Sequence, residues 1–290
     1  MASEFNEYSR LSRVAVRRPE AAFQSEARIA EEWRPLNYHA APDLAQANAE
    51  YRAFEAVLKS VADDVVALPD APGLGLDSLY VRDSLIVTPA GIVEAAMGKP
   101  ARVNEPARNA SLLKSAGFEV IGRIEPPGKI EGGDLVWIDR NTLLVGLGYR
   151  TNAASVDQLR AVTGGRFAIH TFDLPHYKGR SDVFHLMSVL SPVDRDLAVV
   201  YLPLMPVRLV EFLEERGIRF VEVPEDEFPT MGCNVLALAP RHVVLVEGNL
   251  ETERRLRAAG CRVEAIKGAE ICRKGEGGPT CLTRPLIRSA

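Results

Sequence analysis

The chain lacks the marks of a secreted, membrane or nucleic-acid-binding protein. It has four cysteines in 290 residues, none spaced as CxxC. That is too few and too scattered for a disulfide framework or a zinc site. The longest unbroken apolar run, Leu197–Val207, contains Pro203 and Pro206 and is too short to span a bilayer. The first residues, Met1 to Glu7, have neither a basic start nor an apolar core, so no signal peptide is read there. Basic residues are not in excess: 35 Lys+Arg stand against 39 Asp+Glu, with a pI of about 5.8. No nucleic-acid or membrane partner is expected, and a reducing cytoplasm is the default location. Hydrophobic residues make up 47% and charged residues 26%, which rules out wholesale disorder. No low-complexity tract or Gly/Ser linker divides the chain, so residues 1–290 read as a single domain.

What is present is a recurring pattern. A helix-like segment ends in a small or Gly-containing turn, and a short β-rich strand follows. The pattern appears at Lys59–Pro69, Lys114–Ile124, Ala161–Phe172, Glu214–Pro224 and Ala258–Gly268. Before the fourth, Leu209, Phe212 and Leu213 follow a helical rhythm with Glu211, Glu214 and Glu215 opposite. Asn249 stands where a helix over Leu250–Ala259 would be capped. Paired strands are read at LVWID and TLLVGLG around Arg140–Asn141, and at VLALAP and HVVLVEG around Pro240–Arg241. The unit is therefore strand–strand–helix–strand. An ordinary α/β sheet also produces helix–Gly–strand steps, so it stays open beside five-fold repetition. In a ring, the N-terminal strand Arg13–Arg17 (RVAVR) would close the fifth unit.

Each recurring strand is followed by a polar or Gly-rich segment that opens the next unit. These carry Asp77 and Asp83, Glu131 and Asp134, His185, Cys233 with Asn234, and Cys281. Around a pseudo-five-fold axis such positions would converge in one pocket. Cys281 follows GEGGP, where glycines let a backbone approach closely. A free thiol has a pKa of about 8.5, so a nearby His or a cationic substrate could raise its thiolate fraction. Most free cysteines are small buried hydrophobes, which is the reading for Cys261 and Cys272; Cys233 is ambiguous. His185 lies in a strand-like run, where a core histidine is the ordinary outcome, but beside a Gly-framed Cys it suits a general acid/base. His176 reads as exposed, and His39 and His242 as structural. Glu131-Gly132-Gly133-Asp134 is either a hairpin with solvated acids or a segment aiming one carboxylate at a cation. Asp77 and Asp83, six residues apart in a strand-like run, would share a face and one cationic partner. No HxH, HExxH or Cys/His cluster points to a metal.

EGGD at Glu131–Asp134, GLGYRTN at Gly146–Asn152, HLMS at His185–Ser188 and GGPTCLT at Gly277–Thr283 together resemble the dimethylarginine dimethylaminohydrolase family. That family belongs to the guanidino-group-modifying superfamily, the penteins. The resemblance runs in order from LDSLYVRD at Leu76 to Cys281, most of the chain. It implies an α/β fold, a five-bladed propeller of ββαβ repeats. It implies Cys281 as nucleophile, His185 as acid/base and Glu131 as the carboxylate gripping the guanidinium. Asp83 would be the second guanidinium-binding carboxylate, Asp77 a contact to the substrate's amino-acid portion, and Arg150 an anchor for its carboxylate. No cofactor is implied, and the partner is a small guanidino substrate.

The chain departs from the family's pattern at three positions. Arg82 replaces the usual Glu before Asp83, Met97 stands where an Arg is expected, and Met187 where deiminases and amidinotransferases carry an acid. The amino-acid end of the pocket is therefore expected to be altered. If Arg82 faced the pocket, a carboxylate without an adjacent ammonium would be preferred, although strand alternation turns a neighbour of Asp83 away. The function read is hydrolysis of a guanidino C–N bond through a covalent thiouronium. The alternatives are an amidinotransferase, a non-catalytic binding protein on the same fold, as in a translation factor of the large ribosomal subunit, and an unrelated thiol hydrolase of peptides. The sequence leaves monomer and homo-oligomer both open.

Overall fold

A computed structural model describes residues 3–290; Met1 and Ala2 of the N-terminal segment lie outside the described residues. All five recurring segments end in a strand: Asp64–Ala67, Val120–Arg123, Ala168–Asp173, Arg219–Glu222 and Arg262–Ile266. Each pairs in parallel with the second strand of a preceding antiparallel pair. Four of those pairs are hairpins: Leu85–Thr88 with Gly91–Glu94, Leu135–Asp139 with Thr142–Leu147, Leu190–Asp194 with Leu197–Val200, and Leu236–Ala239 with His242–Val246. Parallel pairing needs a crossover, which is why a helix stands between the second and third strands of each unit. Gly117, Gly217 and Gly260 sit just past three of those helices at positive φ (89°, 69° and 85°), the usual stop for a helix turning into a strand.

The fifth unit joins the two ends of the chain. Arg284–Ser289 runs antiparallel to Arg10–Val16, which pairs in parallel with Asp64–Ala67. The closing strand begins three residues before the expected Arg13 and ends one residue before Arg17. Leu11 is fully buried and extends the strand, whereas Arg17 leaves it to donate to the Ser78 carbonyl (3.2 Å) and Asn109 Oδ1 (2.8 Å).

The five sheets form a ring rather than one continuous sheet. Arg284–Ser289 touches Leu85–Thr88, and Ala96 bridges to Ile130 in the next unit. Leu135–Asp139 touches the turn Leu186–Ser188, Leu190–Asp194 touches Leu236–Ala239, and that strand touches Arg10–Val16. The last unit thus meets the first. This is the five-bladed α/β propeller of ββαβ repeats, the pentein fold, and it displaces the ordinary-sheet alternative. Strand Leu197–Val200, from the long apolar run, is fully buried inside its sheet. Among the described residues no helix is long and apolar enough to cross a membrane.

One helix differs in detail from the sequence reading. Asn249 precedes Leu250–Ala258 but its side chain does not cap it. Its amide donates instead to the carbonyls of Val246 (2.8 Å) and Thr230 (3.0 Å). The cap comes from distant Glu227, whose carboxylate accepts the backbone N–H of Glu251 (2.7 Å) and Thr252 (2.8 Å) and the Thr252 hydroxyl (2.6 Å). A buried carboxylate takes two orphan N–H groups and complements the helix dipole, which a neutral Asn cannot match. Glu227→Ala should lower stability by about 2 kcal/mol. Denaturant unfolding checks this; an unchanged midpoint in Glu227→Ala would refute the cap.

Candidate active site

The segments that enter the five units deliver their polar residues to one end of the ring. A pocket of about 100 Å³ is lined there by Asp77, Asp83, Gly133, His185, Asn234 and Cys281, one or two from each unit. Asp77 and Asp83 are both present, but not as one face of a strand. Leu76–Leu79 is a short 3₁₀ turn, and the chain then turns again before Leu85. They also hold separate cations: Asp77 pairs with Lys99 (2.6 Å) and Asp83 with Arg102 (2.6 Å).

The EGGD glycines are needed for close approach. A Cβ on Gly133 would lie 2.5 Å from His185 Nδ1 and 2.9 Å from Asp83 Oδ1, and one on Gly132 would collide with the Arg82 carbonyl. Gly278 plays the same part for the nucleophile, since a Cβ there would lie 2.5 Å from Asn234 Oδ1. Asn234 accepts the Thr280 backbone N–H and hydroxyl (both 2.9 Å) and donates its amide to Cys281 Sγ (3.4 Å). The thiol is thereby held toward the pocket. Its neighbour Cys233 is buried in the core, as are Cys261 and Cys272.

His185 is fixed on both sides. Its Nε2 lies 2.8 Å from Glu131 Oε2 and its Nδ1 3.9 Å from Asp83 Oδ1. Glu131 was expected to grip a substrate cation directly. It is instead wholly buried behind His185 and does not line the pocket. Its oxygens already accept the N–H groups of Gly98 (2.8 Å) and Lys99 (3.2 Å), the Arg150 guanidinium (3.0 Å) and His185. Asp83 is the carboxylate that faces the pocket. Arg150 reaches the pocket too, but with its guanidinium on Glu131. His176 is exposed against Tyr149 and His242 pairs with Glu264, while His39 reaches Glu276 on the pocket wall (3.0 Å).

Burial alone would depress the His185 pKa, but Asp134, Asp83 and Glu131 outweigh it and raise it to about 9. Burial likewise opposes charge on Glu131, yet the His185 hydrogen bond and the charges of His185 and Arg150 hold its carboxyl well below the usual range. Burial pushes Asp134 up to about 6. Burial, reinforced by Asp83, pushes the Cys281 thiol up, against the donors Thr280, Asn234 and Gly278. At neutral pH the pocket therefore holds an imidazolium and a neutral thiol. A cation arriving beside Cys281 would favour its thiolate. Asp83, Glu131 and His185 offer ligand atoms within 4.8 Å of one another. A metal ion there would have to displace Arg102 and Arg150 from the two carboxylates, so the set is better suited to hydrogen-bonding than to metal binding.

The sequence matches the arginine deiminase family over residues 76–210 and 205–288. The chain belongs to the arginine deiminase family. It is 28% identical over 242 residues to the uncharacterised protein YkgA of Bacillus subtilis, covering 83% of this chain and 80% of that one. It is 31% identical over 244 residues to an arginine deiminase of Mycobacterium marinum, covering 72% of this chain and 60% of the relative. The chain thus spans between about half and three fifths of the length of the arginine deiminases it matches. Its fold is similar to a dimethylarginine dimethylaminohydrolase of Pseudomonas aeruginosa, a mutant complexed with citrulline (TM-score 0.73, 20% identity, 97% of this chain and 100% of that chain). It is also similar to SxtG, an amidinotransferase from Microseira wollei (TM-score 0.79, 17% identity, 99% and 97%).

In this arginine deiminase family member the sequence reading passed over two cations. Lys99 and Arg102 follow Met97 in the stretch where one arginine was expected and none found. Both reach the pocket, Arg102 bonding Asp83 and also Glu105 (2.8 Å). The signal is the run GKPAR itself, Gly98–Arg102, immediately after Met97. Arg82 was weighed as a pocket residue. It is buried facing away, on Glu7 (3.2 Å) and the Thr280 carbonyl (3.2 Å).

The raised His185 pKa carries a sign for stability. The folded chain holds this proton more tightly than the unfolded chain, whose histidine titrates at about 6.5. The stabilisation is complete below about 6.5 and disappears as the pH rises through about 9. Thermal melting should fall across that window, and His185→Asn should flatten the slope. A wild-type slope that matches the variant's would show that His185 titrates normally.

Proposed function

We propose that this chain is a cysteine-dependent hydrolase that cleaves a C–N bond of a guanidino substrate through a covalent thiouronium. The observation that carries the reading is the shared pocket of Cys281, His185 and Asp83, with Glu131 bonded behind His185. Asp83 orients the planar guanidinium, whose charge favours ionisation of Cys281; the thiol proton is released to solvent as the substrate binds, because His185 is already protonated. The thiolate attacks the guanidinium carbon, and His185 gives its proton to the departing amine. His185, now neutral, takes a proton from water as the water attacks the thiouronium. The thiolate then leaves, giving a urea-type product. Proton transfer of this kind contributes about 10²–10⁴-fold in rate. The sequence of steps calls for no metal or organic cofactor.

Asp77 with Lys99 offers both signs of charge to the far end of a substrate. With Arg82 turned away, the reason to disfavour a substrate ammonium is gone, so an α-amino acid end fits this reading. The closure of the ring by both chain ends supports one domain over 1–290. A nucleophile that must stay a free thiol fits a reducing, cytoplasmic setting.

Cys281→Ser should lose more than about 10²-fold in turnover with the fold intact, because a hydroxyl is far less ionised than a thiol. His185→Gly should let an adduct build up on Cys281, visible as added mass on the intact protein. A panel of guanidino and ureido compounds, assayed for ammonia, alkylamine and urea-type product, tests the reaction class. Product that requires an added amine acceptor would identify an amidinotransferase instead. Full activity in Cys281→Ser would remove the mechanism altogether.

A further inference from the structure

The pocket is divided by the ring itself. Of its charged groups, Asp77, Asp83, Lys99, Arg102 and Arg150 come from the first two units after the closing strand, Lys178 and Asp182 from the third, and Glu276 from the fifth. The facing wall comes from the third and fourth units, through Phe184, Met187, Phe228 and Met231. Met187 is 3% exposed, two residues from His185, and Phe184 is the residue just before it. Phe228 and Met231 precede Asn234, which bonds Cys281. The apolar wall therefore adjoins both the acid/base and the nucleophile.

The wall is also built rather than incidental. Phe228 stacks on Tyr201 with ring centroids 3.9 Å apart and planes at 11°. Tyr177, another pocket residue, makes edge or tilted contacts with Phe228 (6.0 Å) and Phe184 (5.7 Å). Phe184 and Phe228 rest on the large core cluster. Several polar groups among these elements have partners: the Asp182 carbonyl accepts from Arg150, Lys178 lies 3.8 Å from Glu276, and the Ser188 hydroxyl accepts the His185 N–H (3.0 Å), while the Asp182 carboxylate also lines the pocket. The two Phe side chains offer no hydrogen bond to an unsubstituted guanidinium nitrogen, and the Met187 thioether offers only a weak one.

We infer that the leaving amine of the substrate carries a bulky apolar group, larger than methyl, which packs on the wall formed by Phe184, Met187, Phe228 and Met231. The inference rests on the hydrolase reading, because it places the leaving nitrogen beside His185. A polar far end would then lie on the Lys99 and Arg102 side, so that one substrate spans both halves. Each methylene buried on such a wall is worth about fourfold in binding.

Affinity and turnover separate the two claims. In the Cys281→Ser chain, which cannot react by this route, calorimetry would measure binding of arginines bearing methyl, propyl and benzyl groups on the terminal nitrogen. Affinity should rise at least about tenfold from methyl to benzyl, and Phe228→Ala in the same background should cut that ratio to below about threefold. Equal or weaker binding of the benzyl compound would overturn the inference. So would a benzyl-to-methyl ratio unchanged in a folded Phe228→Ala chain; if that chain fails to fold, the three-compound series decides alone. Turnover of the same compounds by the unmodified chain tests the hydrolase reading separately. Tight benzyl binding without turnover of any compound would sustain the apolar subsite and defeat the reaction.

Discussion

A carboxylate with no access to water ties the site together. Glu131 takes two backbone N–H groups from the first unit, a guanidinium from its own, and the imidazole of the third. Burying a charge costs several kcal/mol unless it is fully paired, so this carboxylate dictates where its partners stand. His185 is held in one orientation and Arg150 is drawn inward. The loop of Gly98 and Lys99 is also anchored, which brings Lys99 to Asp77. Three of the five units depend on that one group.

The remaining units depend on backbone contact rather than charge. Asn234 and Gly278 are in such close contact that a side chain at Gly278 would collide with the amide orienting Cys281. Gly133 does the same between His185 and Asp83. The nucleophile and the acid/base thus sit on loops, but on loops whose positions leave no room to drift. Behind them Arg82 and Glu7 pair in the interior, and Arg82 also donates to the Thr280 carbonyl beside the nucleophile. A residue weighed as part of the pocket is in fact part of its support.

The repeat makes this convergence possible. Each unit contributes the segment that leads into its first strand, and a closed ring brings five such segments to one end. Chemistry is then set by which side chains occupy equivalent positions. The first two units supply most of the charge, the third an imidazole beside an apolar wall, the fourth an amide, and the fifth a thiol.

Period and punctuation were legible in the chain. The five helix–turn–strand segments, the hairpins at Arg140–Asn141 and Pro240–Arg241, and the closing N-terminal strand are local features, carried by apolar spacing and by glycine at helix ends. Cys281, His185 and Asp83 were legible as well, because short Gly-rich or polar motifs set them apart from the strands they introduce. What the chain could not reveal was direction. Whether Glu131 meets the substrate or stands behind His185, whether Arg82 faces the pocket, and whether Asn249 or Glu227 caps a helix depend on partners 24 to 198 residues away. Lys99 and Arg102 became site residues because the buried carboxylates Asp77, Asp83 and Glu105, brought beside them by the folding of the first unit, required their charge. A side chain's type is local, but the partner that compensates its burial is chosen by the packed ring, and that choice was made in three dimensions.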